Sequence, residues 1–286
     1  MAPTIDLAAP PVHVVNGDSV ALTLPGAGLG GDVVVWRDVL HEGSFPPTDP
    51  AIARRLRSAF LAAAGFGSAE AIAAGFETAD AALPAALAAR RETVLWFEHD
   101  LHDQLQLVQI LERIARHPQR SCARLLTIDR HPAHPRFAGL GELSASELGA
   151  LWPLRSPLAA EAFARATRVC EALRAARADA LTALAREPHA GLPYLGRALA
   201  RLLEERPWAD GALGRSERQI LRAVEAGAAT REAVFAATWA MEEAPYMGDS
   251  WLWRRLAELA RRDRPLLATG AGGLELTAAG RLALAA

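Results

Sequence analysis

The stretch TVLWFEHDLHDQLQL, residues 93–107, decides the fold of the first half of the chain. Its first part is almost continuously apolar, which is typical of a strand buried on both faces of a parallel sheet. From Leu101 onward the apolar residues recur at helical spacing, so a helix follows the strand directly. The ionisable residues at this junction are Glu98, His99, Asp100, His102 and Asp103.

Three other segments show the same strand pattern, at residues 12–17, 31–38 and 124–131. Residues 50–64, 68–90 and 101–116 have the apolar recurrences of helices and lie between the strands. Strands that alternate with helices predict an α/β fold with a Rossmann-like parallel sheet, which we assign to residues 1–150.

The remainder of the chain predicts helices and one hairpin. Residues 151–210 form a predicted helical connector, which ends in the linker-like stretch PWADGALG at residues 207–214. In residues 211–286 three helical segments precede two short strands that turn at glycines. This order predicts a C-terminal winged-helix-like domain, a relative of the helix-turn-helix.

Composition narrows the class of protein. With 286 residues, 51% of them hydrophobic, the chain can bury more than one core. A net charge of −2 argues against coating nucleic acid or anionic membrane by bulk charge. Cys122 and Cys170 match no metal or redox spacing, which indicates free thiols in a reducing compartment. No leader and no run of about 18 apolar residues is visible, so we expect a cytoplasmic protein without a membrane partner.

Polar residues follow all four predicted strands. Ligands of open parallel sheets bind beyond the carboxyl ends of the strands, so these residues form the predicted ligand site. Asp and Ser also cap helices, and a cap at Asp18, Ser19 or Asp100 would stabilise a helix by about 1 kcal/mol without any ligand. The predicted ligand-binding residues are Asn16, Asp18, Ser19, Arg37, Asp38, Glu42, Glu98, Asp103 and Asp129.

The charges at these strand ends restrict the ligand. The carboxylates would repel a bare phosphate, and a divalent metal ion that bridges them to the phosphate would remove the conflict. Sugar hydroxyls or a cationic group would remove it equally well. We assign no metal-ligand set, because His99 ends a strand whereas a histidine pair on one helix face needs both residues in the helix. The predicted catalytic residues are His99 and His102 as acid or base, with Asp100.

A second candidate surface lies on the helix that begins near Asp249. Its outer side is predicted to carry Trp251, Arg254, Arg255 and Arg262, which could contact DNA phosphates, bases or a protein partner. An ordinary solvated helix face is the alternative. Acidic and basic residues are nearly balanced in residues 211–286, which gives only weak support to DNA.

Several of these segments carry a family resemblance. They are HVVNGDS at residues 13–19, VVVWRDVLHEG at 33–43, LWFEHDLHDQLQL at 95–107 and the helical stretch at 192–221. Together they resemble a bacterial family catalogued as domain of unknown function 1835. The resemblance implies a cytoplasmic bacterial α/β protein, and it brings no assigned activity and no established catalytic positions.

Three functions follow as hypotheses from these patterns. The first is a regulatory protein that binds a small nucleotide- or sugar-phosphate-like ligand at the sheet edge and couples it to the winged-helix-like domain. The second is a hydrolase or transferase that acts on a phosphate- or sugar-containing substrate, with or without a divalent metal ion. The third is a scaffold without catalytic activity.

Overall fold

The computed structural model describes residues 5–6, 8–188, 191–205 and 212–285. The chain divides into two compact units, Met1–Leu199 and Ala200–Ala286. The predicted linker at residues 207–214 and the boundary at 210 fall largely outside the described residues.

The first unit contains five strands and seven complete helices among its described residues. The strands are β1 (Val12–Val15), β2 (Asp32–Val35), β3 (Thr93–Trp96), β4 (Ala123–Leu126) and β5 (Ser156–Pro157). The helices are α1 (Asp18–Thr23), α2 (Pro50–Ala63), α3 (Ala69–Ala88), α4 (Leu101–Ile114), α5 (Ala145–Leu151), α6 (Ala160–Arg174) and α7 (Ala178–Arg186).

The strands form one sheet in the order β2-β1-β3-β4-β5. The first four are parallel, which confirms the α/β prediction and all four predicted strands. The antiparallel β5 was not predicted, because two residues without an apolar run carry no strand pattern. Strand order reverses direction between β1 and β3, and such a switch point is where open α/β sheets usually leave a crevice.

The register brings the strand ends to one edge of the sheet. Val15 is aligned with Val35 on one side and Trp96 on the other, and Trp96 is aligned with Leu126. The residues that follow β1 to β4 therefore start from the same edge, as the sequence predicted.

Helices α6 and α7 belong to the sheet unit. Helix α6 packs against α4, and the Arg174 guanidinium donates to the Glu112 carboxylate, with Nη1 at 2.9 Å from Oε1. The buried Cys170 thiol lies 3.5 Å from the carbonyl oxygen of Val108 and is a free thiol, like Cys122. Most of the predicted connector at residues 151–210 is thus part of the first unit.

Helix α8 (Leu195–Glu205) begins in the first unit and ends in the second. The second unit continues with α9 (Arg215–Glu225), α10 (Arg231–Ala240), α11 (Asp249–Arg261), the antiparallel hairpin of β6 (Leu267–Gly270) and β7 (Gly273–Leu276), and α12 (Ala278–Ala285). The three helices and the hairpin were predicted, and α12 was not. No helix in the described ranges of either unit has the length and apolarity needed to cross a membrane.

Candidate functional site

The carboxylates that follow β3 are buried and bonded within the protein. Asp103 accepts hydrogen bonds from the Asn16 amide and from the backbone N–H of Glu98, the latter at 2.6 Å. Glu98 Oε1 accepts the backbone N–H of Leu140 at 2.5 Å. Asp100 is the N-cap of α4 and accepts the N–H of Asp103, which confirms the capping alternative for this residue.

A segment at residues 137–143 covers this strand end. Phe137, Leu140 and Leu143 pack into the core with Val15 and Trp96. Its backbone passes so close to Glu98 that a Cβ atom on Gly139 would lie 2.2 Å from Glu98 Oε2, so any larger residue there would require the Glu98 carboxylate to move. The crevice expected at the switch point is therefore filled by the chain itself.

Burial changes the protonation of these carboxyl groups. It raises the pKa of Glu98 and of Asp100 well above their ordinary values, and the neighbouring charge of Asp103 adds to both shifts. Burial also raises the pKa of Asp103 to about 6, against the hydrogen bonds from Glu98 and Asn16 that favour its charged form. The three groups resist carrying three negative charges at once.

The two histidines after β3 are neutral at pH 7. The His99 ring stacks on Phe137 at 6.2 Å between ring centroids and meets Tyr194 edge-on at 6.0 Å, and burial lowers its pKa. His102 Nε2 lies 3.1 Å from the Gln106 amide nitrogen, and burial lowers the pKa of His102 to about 4. His99 is thus buried in the protein, and His102 is only partly exposed.

Asp38, after β2, lies in a buried ion pair with a partner that the sequence analysis missed. Arg57 Nε donates to Asp38 Oδ1 at 2.8 Å, and the two side chains are only 4% and 6% exposed. The other guanidinium nitrogens of Arg57 donate to the carbonyl oxygens of Val39, Glu42 and Ser44. Arg57 lies on the buried face of α2, and an arginine at an apolar position of that helix is the signal that could have revealed it.

A cavity of about 410 Å³ lies beside the end of β2. Its polar part is the pair of Asp18 and Arg37, whose oxygen and nitrogen lie 2.5 Å apart and whose side chains are 67% and 50% exposed. Most of the cavity is apolar, and its other lining residues are Val39, Leu61, Phe66, Ala71, Ile72, Gly75 and Phe76.

The remaining predicted ligand residues lie apart from this cavity lining. Ser19 does not cap α1, whose N-cap is Gly17 without a side-chain hydrogen bond, and it packs against Gly141. The backbone oxygen of Glu42 accepts from Arg57. Asp129 contacts Arg130 and Arg197 at 3.3 and 3.4 Å. The predicted single site is thus divided into separate groups, of which only Asp18 and Arg37 line the cavity of 410 Å³.

One set of metal-type ligands occurs where the sequence analysis assigned none. Within the described ranges, His131, His134 and Glu147 are the group of His, Cys, Asp or Glu side chains whose ligand atoms lie within 4.8 Å of one another. The predicted histidine pair, His99 and His102, is not part of it.

The predicted partner surface on α11 requires one correction. Trp251 is only 6% exposed and is buried with Leu252 and Leu256, because the apolar face of this helix is wider than predicted. Arg254 and Arg255 both donate to Glu258, at 2.9 and 3.0 Å. Arg262 donates to Glu217.

Comparison with known proteins adds no relative: no family model, curated protein or solved structure matches the chain. The resemblance to domain of unknown function 1835 therefore stays a prediction.

Proposed function

We propose that the first unit is a Rossmann-like domain that binds a small nucleotide- or sugar-phosphate-like ligand in the cavity beside β2. The observation that carries the proposal is the cavity itself. Its volume of about 410 Å³ lies within the range of small-molecule sites, and it combines a mostly apolar wall with one charged pair at the carboxyl end of a strand.

The lining matches a ligand with an apolar or aromatic part and an anionic part. Phe66 and Phe76 offer rings to a base or the apolar face of a sugar. Arg37 is half exposed, and its guanidinium can bind a phosphate through two parallel hydrogen bonds. Asp18 holds Arg37 and offers an acceptor to a ligand hydroxyl group.

Thermal unfolding of the intact protein with nucleoside monophosphates and sugar phosphates tests this proposal. A ligand at 100 times its Kd stabilises the folded state by about 2.7 kcal/mol and raises Tm accordingly. Arg37→Ala should lower the affinity for the phosphorylated compound more than for the same compound without phosphate.

Gly75→Leu is the blocking variant. Gly75 lines the cavity from α3, and a Cβ there meets no atom within 4 Å, so leucine can enter the cavity and also improves helix propensity. The matched control is Ala74→Leu, which adds the same side chain at the neighbouring exposed position of α3. The rise in Tm caused by the ligand should be lost in Gly75→Leu and kept in Ala74→Leu. An equal ligand-induced rise in Tm in the two variants would contradict binding in this cavity.

The hydrolase or transferase alternative and the scaffold remain predictions. None of the three predicted catalytic residues, His99, Asp100 and His102, lines the cavity, so a reaction would need a group other than these. Chromatography of each stabilising compound after incubation with the protein distinguishes binding from turnover.

We infer that the second unit is a winged-helix-like interaction module with a regulatory role. The order of three helices and an antiparallel hairpin supports this topology. Carboxylates already neutralise Arg254, Arg255 and Arg262, which favours a protein partner over DNA phosphates. We therefore expect no steeply salt-dependent binding of the intact protein to a pool of random DNA duplexes, and such binding would overturn this choice of partner.

A further inference from the structure

The sequence HPAHP at residues 131–135 follows β4 and folds into a tight turn. The backbone N–H of His134 donates to the carbonyl oxygen of His131 at 3.0 Å, and the two residues form an isolated antiparallel bridge. Prolines at 132 and 135 restrict the backbone around this turn. As a result, the two imidazole rings lie side by side, with centroids 5.3 Å apart.

Glu147, in the first turn of α5, brings a carboxylate to these rings. Its Oε2 atom is fixed by the capping box, where it accepts from Ser144 Oγ at 2.7 Å and from the Ser144 backbone N–H at 2.9 Å. Its Oε1 atom faces the histidines, at 3.2 Å from His134 Nε2 and 4.0 Å from His131 Nδ1. The hydrogen bonds to Oε2 thus fix the direction in which Oε1 of Glu147 points.

We propose that His131, His134 and Glu147 form a binding site for a divalent transition-metal ion of the zinc class. Donor atoms of a tetrahedral zinc site lie about 3.4 Å apart, given metal–ligand distances of about 2.1 Å. The separations of 3.2 and 4.0 Å between Glu147 Oε1 and the two histidine nitrogens lie within 1 Å of that value, and all three ligand atoms lie within 4.8 Å of one another. Two imidazoles and one carboxylate are a common ligand set for this ion.

The site is open to solution. The side chains of His131, His134 and Glu147 are 12%, 28% and 27% exposed, so an ion can enter without unfolding. The N–H of Ala133 donates to His131 Nδ1 over 3.4 Å, a long bond that the ion would replace. Three protein ligands leave one tetrahedral position for water or an anionic group of a substrate, as in catalytic rather than structural zinc sites.

This site does not depend on the proposed ligand cavity, since none of its three residues lines that cavity. The alternative is a surface ion pair between histidine and glutamate that binds no metal. Metal titration separates the two possibilities, whatever the outcome of the experiments with phosphorylated compounds.

The experiment is a titration of the intact, tag-free protein, freed of metal by a chelator, with Zn²⁺ by calorimetry and with Co²⁺ by visible absorption. We expect one equivalent of each ion to bind and the Co²⁺ complex to show the intense bands of a four-coordinate site. His134→Ala should weaken binding by at least about 10-fold, because loss of even an indirect partner of a metal ligand has that effect.

Glu147→Gln provides a variant that keeps the fold. Glutamine also serves at this position of a capping box, so α5 should remain capped while the anionic ligand is lost. The control is His117→Ala, which removes a partly exposed histidine elsewhere in the same unit. Absence of one-equivalent binding by the wild type, or affinities of the His134→Ala and Glu147→Gln variants equal to that of His117→Ala, would overturn the proposal.

Discussion

The ends of β2 and β3 flank β1 in the same register, yet the structure uses them in opposite ways. Beyond β2, Arg37 is exposed at the side of a cavity, where it pairs with Asp18, a residue that follows β1. Beyond β3, Glu98 and Asp103 are buried, and the segment at residues 137–143 covers Glu98. Polar residues at a strand end are therefore accessible to a ligand only where no other part of the chain covers them.

The two ends also differ in how buried charge is compensated. At the β2 end, the Asp38 carboxylate faces the Arg57 guanidinium, which opposes the rise in the pKa of Asp38 caused by burial. At the β3 end, Glu98 and Asp103 receive hydrogen bonds from backbone N–H groups and the Asn16 amide, and they repel each other. The Arg57 guanidinium thus compensates the negative charge of Asp38, whereas the raised pKa values of Glu98 and Asp103 reduce the negative charge at the β3 end.

The largest expected effect comes from removing the cation at the β2 end. Arg57→Ala leaves Asp38 buried without its guanidinium partner and removes the donors to three carbonyl oxygens. We expect the free energy of unfolding, measured by urea denaturation at pH 7, to fall by about 3–5 kcal/mol.

Arg37→Ala is the matched control, because it breaks the exposed ion pair at the same strand end. Exposed pairs contribute about 0–1 kcal/mol, so this variant should unfold nearly as the wild type does. If Arg57→Ala lowered the free energy of unfolding as little as Arg37→Ala, the buried pair of Arg57 and Asp38 would contribute no more to stability than the exposed pair of Arg37 and Asp18.

The parallel part of the sheet was predictable from the sequence, because apolar runs and helical spacing are local properties. The sequence predicted the four parallel strands and the helices at residues 50–64, 68–90 and 101–116. It missed β5, which is formed by pairing with β4 rather than by its own residues. It placed Trp251 on the wrong side of α11, since the width of a buried face depends on what packs against it.

The site was only partly predictable, because its contacts join residues far apart in the chain. The residues at the strand ends were correctly singled out as an edge, but which of them are covered depends on Leu140 and Gly139, some 40 residues after Glu98. The pairing of Arg57 with Asp38 and the contact of Glu147 with His134 were not predicted for the same reason: each residue lies on a helix whose own pattern does not show which strand end it faces.

A smaller effect, and one that changes with pH, is expected at the β3 end. Because burial raises the pKa of Glu98 well above its ordinary 4.5, the folded state holds a proton that the unfolded state releases. This contribution to stability is fully present below about pH 4.5 and is lost as the pH rises toward the folded-state pKa, by up to about 1.4 kcal/mol per pH unit.

Glu98→Gln isolates this effect, because glutamine cannot ionise and its amide oxygen can still accept the N–H of Leu140. Urea denaturation from pH 4.5 to 7 should show the variant gaining stability relative to the wild type as the pH rises. Glu142→Gln, at an exposed position of the covering segment, controls for the loss of a glutamate charge. The difference in the free energy of unfolding between Glu98→Gln and wild type should change with pH, and that of Glu142→Gln should not. If the first difference were independent of pH, or if both variants showed the same dependence on pH, Glu98 would ionise in the folded state as readily as an exposed carboxylate.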